Sequence, residues 1–144
     1  MVIGGAGFIG SHLVDRLIDE KPDALHIVDN LFLGRKENLV EAFSRYPKLK
    51  FHKLDATDGK KMRRLIRKEK IGIIFNLATK PIGYSFVDPT DACLVNVQII
   101  SHLLEALRLG EIQYLIHFSS SEVYGDALQV RMKENHPLTP HTTY

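Results

Sequence analysis

Four glycines fall within seven residues, Gly4, Gly5, Gly7 and Gly10, between a short apolar run (residues 1–3) and a segment whose apolar residues recur at helical spacing. Gly5-Ala6-Gly7-Phe8-Ile9-Gly10 reads GxGxxG, and Gly4 extends it to GxxGxxG. A dinucleotide pyrophosphate needs backbone N–H groups at a helix N-terminus with no side chains in the way, and a strand-to-helix turn built of glycine provides this. Gly10 would let the helix lie close to the strand. Glycine-rich turns are common, so context decides the matter. Asp29 follows Gly10 by 19 residues, at the end of the next apolar run. A carboxylate there accepts hydrogen bonds from both adenosine ribose hydroxyls and repels a 2′-phosphate, so the expected cofactor is NAD rather than NADP. Arg35 and Lys36 argue the other way, because either could pair with that phosphate.

Beyond the glycines, β-rich apolar runs at 25–29, 49–53, 71–76 and 114–119 alternate with helix-period segments at 8–20, 36–45, 56–70 and 89–109. This alternation predicts an α/β fold: a doubly wound parallel sheet of the Rossmann-like type, strand order 3-2-1-4-5, with helices on both faces. In the first helix, Ile9, Leu13, Val14, Leu17 and Ile18 form a stripe expected to pack on the sheet, while His12, Asp15, Arg16 and Asp19 face away. The 89–109 helix carries apolar residues on more than one side, Leu94, Val95, Val97, Ile99, Ile100, Leu103, Leu104 and Leu107. Such a helix touches its own sheet and something else, so a homodimer through it is expected.

Composition narrows the functional classes. A net charge of +2 gives no reason to expect a polyanion partner. The basic stretch 60–70 has Met62, Leu65 and Ile66 on one side and no base-stacking aromatics, so it reads as a solvated helix face and no nucleic-acid partner is expected. The lone Cys93 cannot form an internal disulfide and reads as a core residue of a protein in a reducing compartment. The seven histidines lack HxxxH or HExxH spacing, so no metal is expected. No membrane span or signal core is visible, and a cytoplasmic location follows as the default. The first strand has room for three residues where about five or six are usual, and the chain ends in a polar stretch. Residues 1–144 therefore read as one NAD-binding domain cut at both ends, without a substrate domain.

Gly4 to Gly10, Asp29-Asn30-Leu31, Leu54-Asp55, Asn76-Leu77-Ala78, Asn96, Ser119-Ser120-Ser121-Glu122-Val123-Tyr124-Gly125 and Pro140 to Tyr144 occur together and in order. With these motifs the chain resembles the extended short-chain dehydrogenases/reductases, in particular their nucleotide-sugar epimerase/dehydratase branch. The likeness covers nearly all 144 residues.

The resemblance implies an NAD-dependent enzyme that transiently oxidises a hydroxyl of a nucleotide-linked sugar. Tyr144 takes the position of the family's YxxxK tyrosine, the base that removes the hydroxyl proton. A phenol ordinarily titrates near pH 10, so in such enzymes a lysine four residues on and the nicotinamide charge lower it. Ser120 matches the residue that shares the hydroxyl's hydrogen bond. Glu122 falls where dehydratases and decarboxylases carry a glutamate acid/base, and Ser121-Glu122 looks more like UDP-glucuronate decarboxylases and GDP-mannose dehydratases than like common hexose dehydratases. Epimerase, dehydratase and decarboxylase all stay open. For the cofactor, the resemblance implies Gly4, Gly7, Phe8, Ile9 and Gly10 at the pyrophosphate; Asp29, Asn30 and Gly34 near the ribose; Asp55 and Ala56 at the adenine. Leu77, Ala78, Thr79, Lys80, Asn96 and Ser119 would line the way to the nicotinamide. A lysine at position 80 departs from the family pattern. Related enzymes also dimerise through the 89–109 helix. The alternative reading is a non-catalytic NAD-binding or sensing module that keeps the fold and not the chemistry.

Overall fold

A computed structural model describes all residues 1–144. Five parallel strands, β1 (Val2–Ile3), β2 (Leu25–Asp29), β3 (Leu49–Lys53), β4 (Ile73–Asn76) and β5 (Tyr114–His117), form one sheet in the order β3-β2-β1-β4-β5. The helices are α1 (Phe8–Asp19), α2 (Val40–Arg45), α3 (Gly59–Lys68), α4 (Ile82–Ser85) and α5 (Pro89–Arg108), with one-turn 3₁₀ helices at Lys36–Leu39 and Ser121–Tyr124. The predicted order and all five strands are present.

Period-two alternation along β1 and β2 divides the interior. Val2 and Ile27 point to the layer holding Val14 and Ile18 of α1 and Ala42 of α2, whereas Ile3 and Val28 point to the layer holding Met62 and Ile66 of α3 and Ile99 and Leu103 of α5. Every residue of β1 and β2 is buried, as the centre of a parallel sheet covered on both faces requires. Full burial of each such aliphatic chain contributes roughly 1.5–3 kcal/mol. Buried within β2, His26 lies 3.1 Å (Nδ1 to Nε2) from His52 of β3, and burial lowers the pKa of both rings. A hydrogen bond between two imidazoles requires the acceptor to be neutral, which that shift favours.

The register fixes where chemistry can occur. Ile3 pairs with Val28 and Asn76, and Asn76 pairs with His117, so the carboxyl ends of β2, β1, β4 and β5 lie level along one edge. Asp29, Gly4, Leu77 and Phe118 each begin or border a loop at that edge.

Some expected boundaries shift for local reasons. α3 begins at Gly59 rather than at residue 56 because the Asp58 carboxylate accepts the Lys61 N–H at 3.0 Å and caps the helix there. On its basic face, Arg63 and Arg67 both turn to Glu111, which they hold well below the ordinary carboxylate range. Met62 and Ile66 are buried beneath, as a solvated basic face over an apolar stripe requires. Two expectations fail. Ile9 does not join the core stripe: it is 61% exposed and lines a groove beside Gly10 and Ser120 instead. Cys93 is half-buried on the flank of α5 and lines a groove there instead of the core. The short α4 helix and the Ser121–Tyr124 turn were not foreseen, each being too short to show a period.

On α5, Ala92, Ile99, Leu103 and Ala106 are buried while Leu94, Val97 and Leu104 stay at least half exposed, giving the helix the second apolar side that its sequence implied. No helix is long and apolar enough to cross a membrane.

Candidate cofactor and active site

The chain leaves β1 through Gly4 at φ +77°, a left-handed conformation that favours glycine. A Cβ on Gly4 would sit 2.8 Å from the Ala78 nitrogen, so the β4 loop passes directly alongside. At Gly10 a Cβ would clash with the Gly4 carbonyl oxygen and lie 2.8 Å from the Gly5 Cα, so only glycine lets α1 lie this close to the turn. The helix starts on Gly7 in an extended conformation, with no side-chain cap and no acid in its first turn. The Phe8 and Ile9 amides consequently have no acceptor within the chain. Unclaimed amides at the positive end of a helix form a ready anion site.

Beside this turn, Asp29 is 7% exposed and accepts the Ala6 N–H at 3.0 Å on one oxygen and the Leu31 N–H at 2.8 Å on the other. An ionised carboxylate has about four acceptor positions, so two remain for hydroxyl donors. Leu31 adopts φ +63°, at a cost of roughly 1–2 kcal/mol that the surrounding hydrogen bonds offset. Gly34 leaves room for the carboxylate: a Cβ there would be 2.8 Å from both oxygens. Asn30 accepts the Phe32 N–H and donates from Nδ2 to Asp55 at 3.0 Å. Asp55 also accepts the Thr57 N–H and hydroxyl. Burial works to raise the Asp55 pKa, but the bonds from Thr57 and Asn30 outweigh it and the pKa is lowered.

A cleft of about 570 Å³ gathers these groups: Gly4, Gly7, Phe8, Asp29, Asn30, Gly34, Asp55, Ala56, Leu77, Ala78, Thr79 and Lys80 all line it. A second groove of about 730 Å³ shares Gly4, Gly7, Phe8, Leu77, Ala78 and Thr79, then continues past Ile9, Gly10 and Asn96 to Ser119, Ser120 and Tyr144. The two form one channel along the carboxyl edge of the sheet, where doubly wound folds bind ligands. Glu122 does not line it. Its backbone N–H donates to Ser120 Oγ at 3.2 Å, and its side chain is half-buried in the same one-turn helix.

Asn96 fastens the channel wall: Oδ1 accepts the Lys80 N–H at 2.7 Å and the Thr79 hydroxyl at 3.1 Å, while Nδ2 donates to the Lys80 carbonyl at 3.2 Å. Lys36 is drawn over the Phe51 ring, 5.1 Å from its centroid, although its charge had counted toward a 2′-phosphate.

Two contributors escaped the sequence reading, and a third, Asn76, stood in one of its motifs without a role. Asn38 donates from Nδ2 to the Ala6 carbonyl at 2.8 Å and pins the glycine turn from 32 residues away. Buried Asn76 pairs with His117 at 3.0 Å, joining the ends of β4 and β5 beside the groove that His117 lines. Nothing in local spacing marks Asn38 or His117. Asn76 was marked by the Asn76-Leu77-Ala78 motif and by being a polar residue that closes an apolar strand.

The channel fits the expected dinucleotide: it offers an anion site of free amides, a buried carboxylate with open lone pairs, and glycines where a Cβ would intrude. Comparison with known proteins agrees. The sequence model of the GDP-mannose 4,6 dehydratase family matches residues 1–144. The chain is 36% identical over 138 residues to UDP-glucuronic acid decarboxylase 1 of Arabidopsis thaliana, covering 94% of this chain and 29% of that protein. It is 34% identical over 145 residues to a putative UDP-glucose 4-epimerase of Methanocaldococcus jannaschii, covering all of this chain and 45% of the relative. Its structure superposes with a TM-score of 0.88 on dTDP-glucose 4,6-dehydratase from Streptomyces venezuelae, solved with NAD bound, at 30% identity over 99% of this chain and 46% of that one. The chain thus spans less than half the length of these relatives. It belongs to the GDP-mannose 4,6 dehydratase family, within the NAD-dependent nucleotide-sugar epimerases and dehydratases of the extended short-chain dehydrogenase/reductase class.

Proposed function

We propose that the chain forms the NAD-binding and reaction-centre part of an enzyme that transiently oxidises a hydroxyl of a nucleotide-linked sugar. The observation that carries this reading is the single channel running from Asp29 and Asp55, past the free amides of α1, to Ser120 and Tyr144. Asp29 and Asp55 hold the adenosine end, the Phe8 and Ile9 amides the pyrophosphate, and the 77–80 loop with Ser119 the nicotinamide end. Bound there, NAD supplies the acceptor, and later the donor, of a sugar hydride. Tyr144 takes the hydroxyl proton at its phenol oxygen, and Ser120 Oγ orients that hydroxyl. Glu122 serves as acid or base in a step after the ketone forms. The relatives include a decarboxylase, an epimerase and a dehydratase, and oxidation is the step these reactions share.

Calorimetric titration of the full-length protein tests the cofactor assignment. NAD should bind more tightly than NADP, because the buried Asp29 carboxylate repels a 2′-phosphate. Asp29→Ala should remove the ribose hydrogen bonds, weaken NAD by roughly 1–3 kcal/mol and erase most of the preference. NADP binding as tight as NAD in the wild-type protein would overturn it.

The same reading includes a homodimer through α5, supported by the exposed stripe of Leu94, Val97 and Leu104. Light scattering at micromolar concentration should give twice the protomer mass, and Val97→Glu should halve it. A wild-type monomer would refute the dimer.

A further inference from the structure

Four cations of α3, Lys60, Arg63, Arg64 and Arg67, recur at i, i+3, i+4 and i+7 and therefore share one face of the helix. Like charges at that spacing repel, so the arrangement costs stability unless carboxylates or a ligand compensate it. Compensation within the chain is partial. Glu111 serves Arg63 and Arg67 together, while Lys60 and Arg64 form no ion pair. The carboxylates that line the same region are already engaged, Asp58 with Lys61 and Glu105 with Arg108. Three positive charges are left in excess among these groups, more than the net +2 of the entire chain.

The cationic face of α3 lines a groove of about 660 Å³ together with His102 and Glu105 of α5. No hydrophobic side chain lines it. Gly59 lets the two helices meet here: a Cβ on it would lie 2.6 Å from His102 Nδ1, so the imidazole could not lie over the start of α3 beside a larger residue. His102 is anchored through its other nitrogen, whose N–H donates to the Thr57 carbonyl at 3.0 Å, and Nδ1 has no partner in the chain. Thr57 stands between this groove and the cofactor cleft and lines both. Its N–H and hydroxyl bind Asp55, a cleft residue, while its carbonyl holds His102.

We propose that the groove between α3 and α5 binds a small polyphosphate anion, inorganic or the phosphate chain of a nucleotide, on Lys60, Arg63, Arg64 and Arg67. Guanidinium groups present paired N–H donors that match phosphate oxygens, and the unpaired charges of Lys60 and Arg64 supply the attraction. A concave and wholly polar site suits a compact anion. It offers a base no Phe, Tyr or Trp to stack on. The site lies outside the cofactor cleft, so anion and dinucleotide bind independently.

Calorimetric titration of the full-length protein with inorganic tripolyphosphate tests this. With NAD present in excess, one anion should still bind per chain and raise the melting temperature, because it binds the folded state alone. ATP should bind no more tightly than tripolyphosphate, since only phosphates are read. Lys60→Gln and Arg64→Gln should each weaken tripolyphosphate roughly tenfold and leave NAD affinity unchanged. Lys48→Gln removes the same charge from an exposed position outside the groove and should change tripolyphosphate affinity by less than about twofold. Thermal melts identify any variant that fails to fold, and the other groove variant then decides. Wild-type affinity in the groove variants, an equal loss in Lys48→Gln, or no binding up to about 1 mM overturns the site. Displacement of tripolyphosphate by NAD overturns it too, by placing the anion in the cofactor cleft. Duplex DNA that binds more tightly than tripolyphosphate, and loses affinity in the same variants, replaces the small anion with a nucleic acid. A protein that binds tripolyphosphate in the groove but no NAD overturns the cofactor reading and leaves this site standing.

Discussion

Gly10→Ala should destabilise the full-length protein by about 3 kcal/mol or more, lower its melting temperature by on the order of 10 °C, and abolish measurable NAD binding. The added methyl has nowhere to go. It would clash with the Gly4 carbonyl oxygen and lie 2.8 Å from the Gly5 Cα, both of them backbone, so no side-chain rotation relieves the clash. Either α1 tilts away from the sheet, pulling Val14 and Ile18 out of the layer they share with Val2 and Ile27, or the turn opens and the Phe8 and Ile9 amides diverge. Gly83→Ala is the matched control, because a Cβ there meets nothing within 4 Å. As glycine costs a helix roughly 0.5–1 kcal/mol relative to alanine, that variant should melt at or slightly above the wild type. Thermal melts and NAD titration of both variants make the test. A Gly10→Ala protein that melts with the control and binds NAD normally would show that close packing of α1 is not what the glycine provides.

The same glycine shows why so much of this fold could be read from the sequence. A parallel sheet buried on both faces demands unbroken apolar strands, and its crossovers demand helices with one apolar side, so each element carries its own periodic signature. Strands β2 and β3 begin and end at the residues their sequence implied. The glycine-turn side of the channel was legible for a related reason. Gly4, Gly10 and Asp29 answer to backbone geometry within one strand-turn-helix-strand unit, where spacing along the chain maps directly onto spacing in the fold.

Where sequence reading failed, the determinant was an interaction between distant segments. Asn38 reaches the Ala6 carbonyl, His117 reaches Asn76, and Lys80 lies between the rings of Phe32, in the loop after β2, and Tyr84, in α4. Each has a partner far away in sequence, which local spacing does not reveal. Ile9 is the converse case: its helical spacing assigned it to the core, but it lines the groove instead, so the pattern was right and the burial wrong.

The reaction centre was reached by resemblance, and its decisive test is Tyr144→Phe in the full-length protein. Tyr144, Ser119 and Ser120 line the same groove as the glycine turn, although more than a hundred residues separate them from it in the chain. Removing one hydroxyl deletes the proposed proton acceptor and leaves the ring that lines the groove. NAD affinity, which the proposed function assigns to Asp29 and the α1 amides at the far end of the channel, should stay within about twofold of wild type. Turnover of the substrate, found by screening UDP-, dTDP- and GDP-linked sugars, should fall by roughly 10²- to 10⁴-fold, the usual effect of losing a positioned general base. Ser120→Ala should fall less, since it removes an orienting hydrogen bond and leaves the base. Glu122 stands apart from the groove walls, so Glu122→Gln should leave the initial oxidation intact. The pairing of retained NAD affinity with lost turnover separates an enzyme from a module that merely binds the dinucleotide, because a binding module has no turnover to lose. A phenylalanine variant with wild-type turnover would show that another group takes the proton, and a variant that lost NAD binding in proportion would show that Tyr144 supports the channel rather than the chemistry.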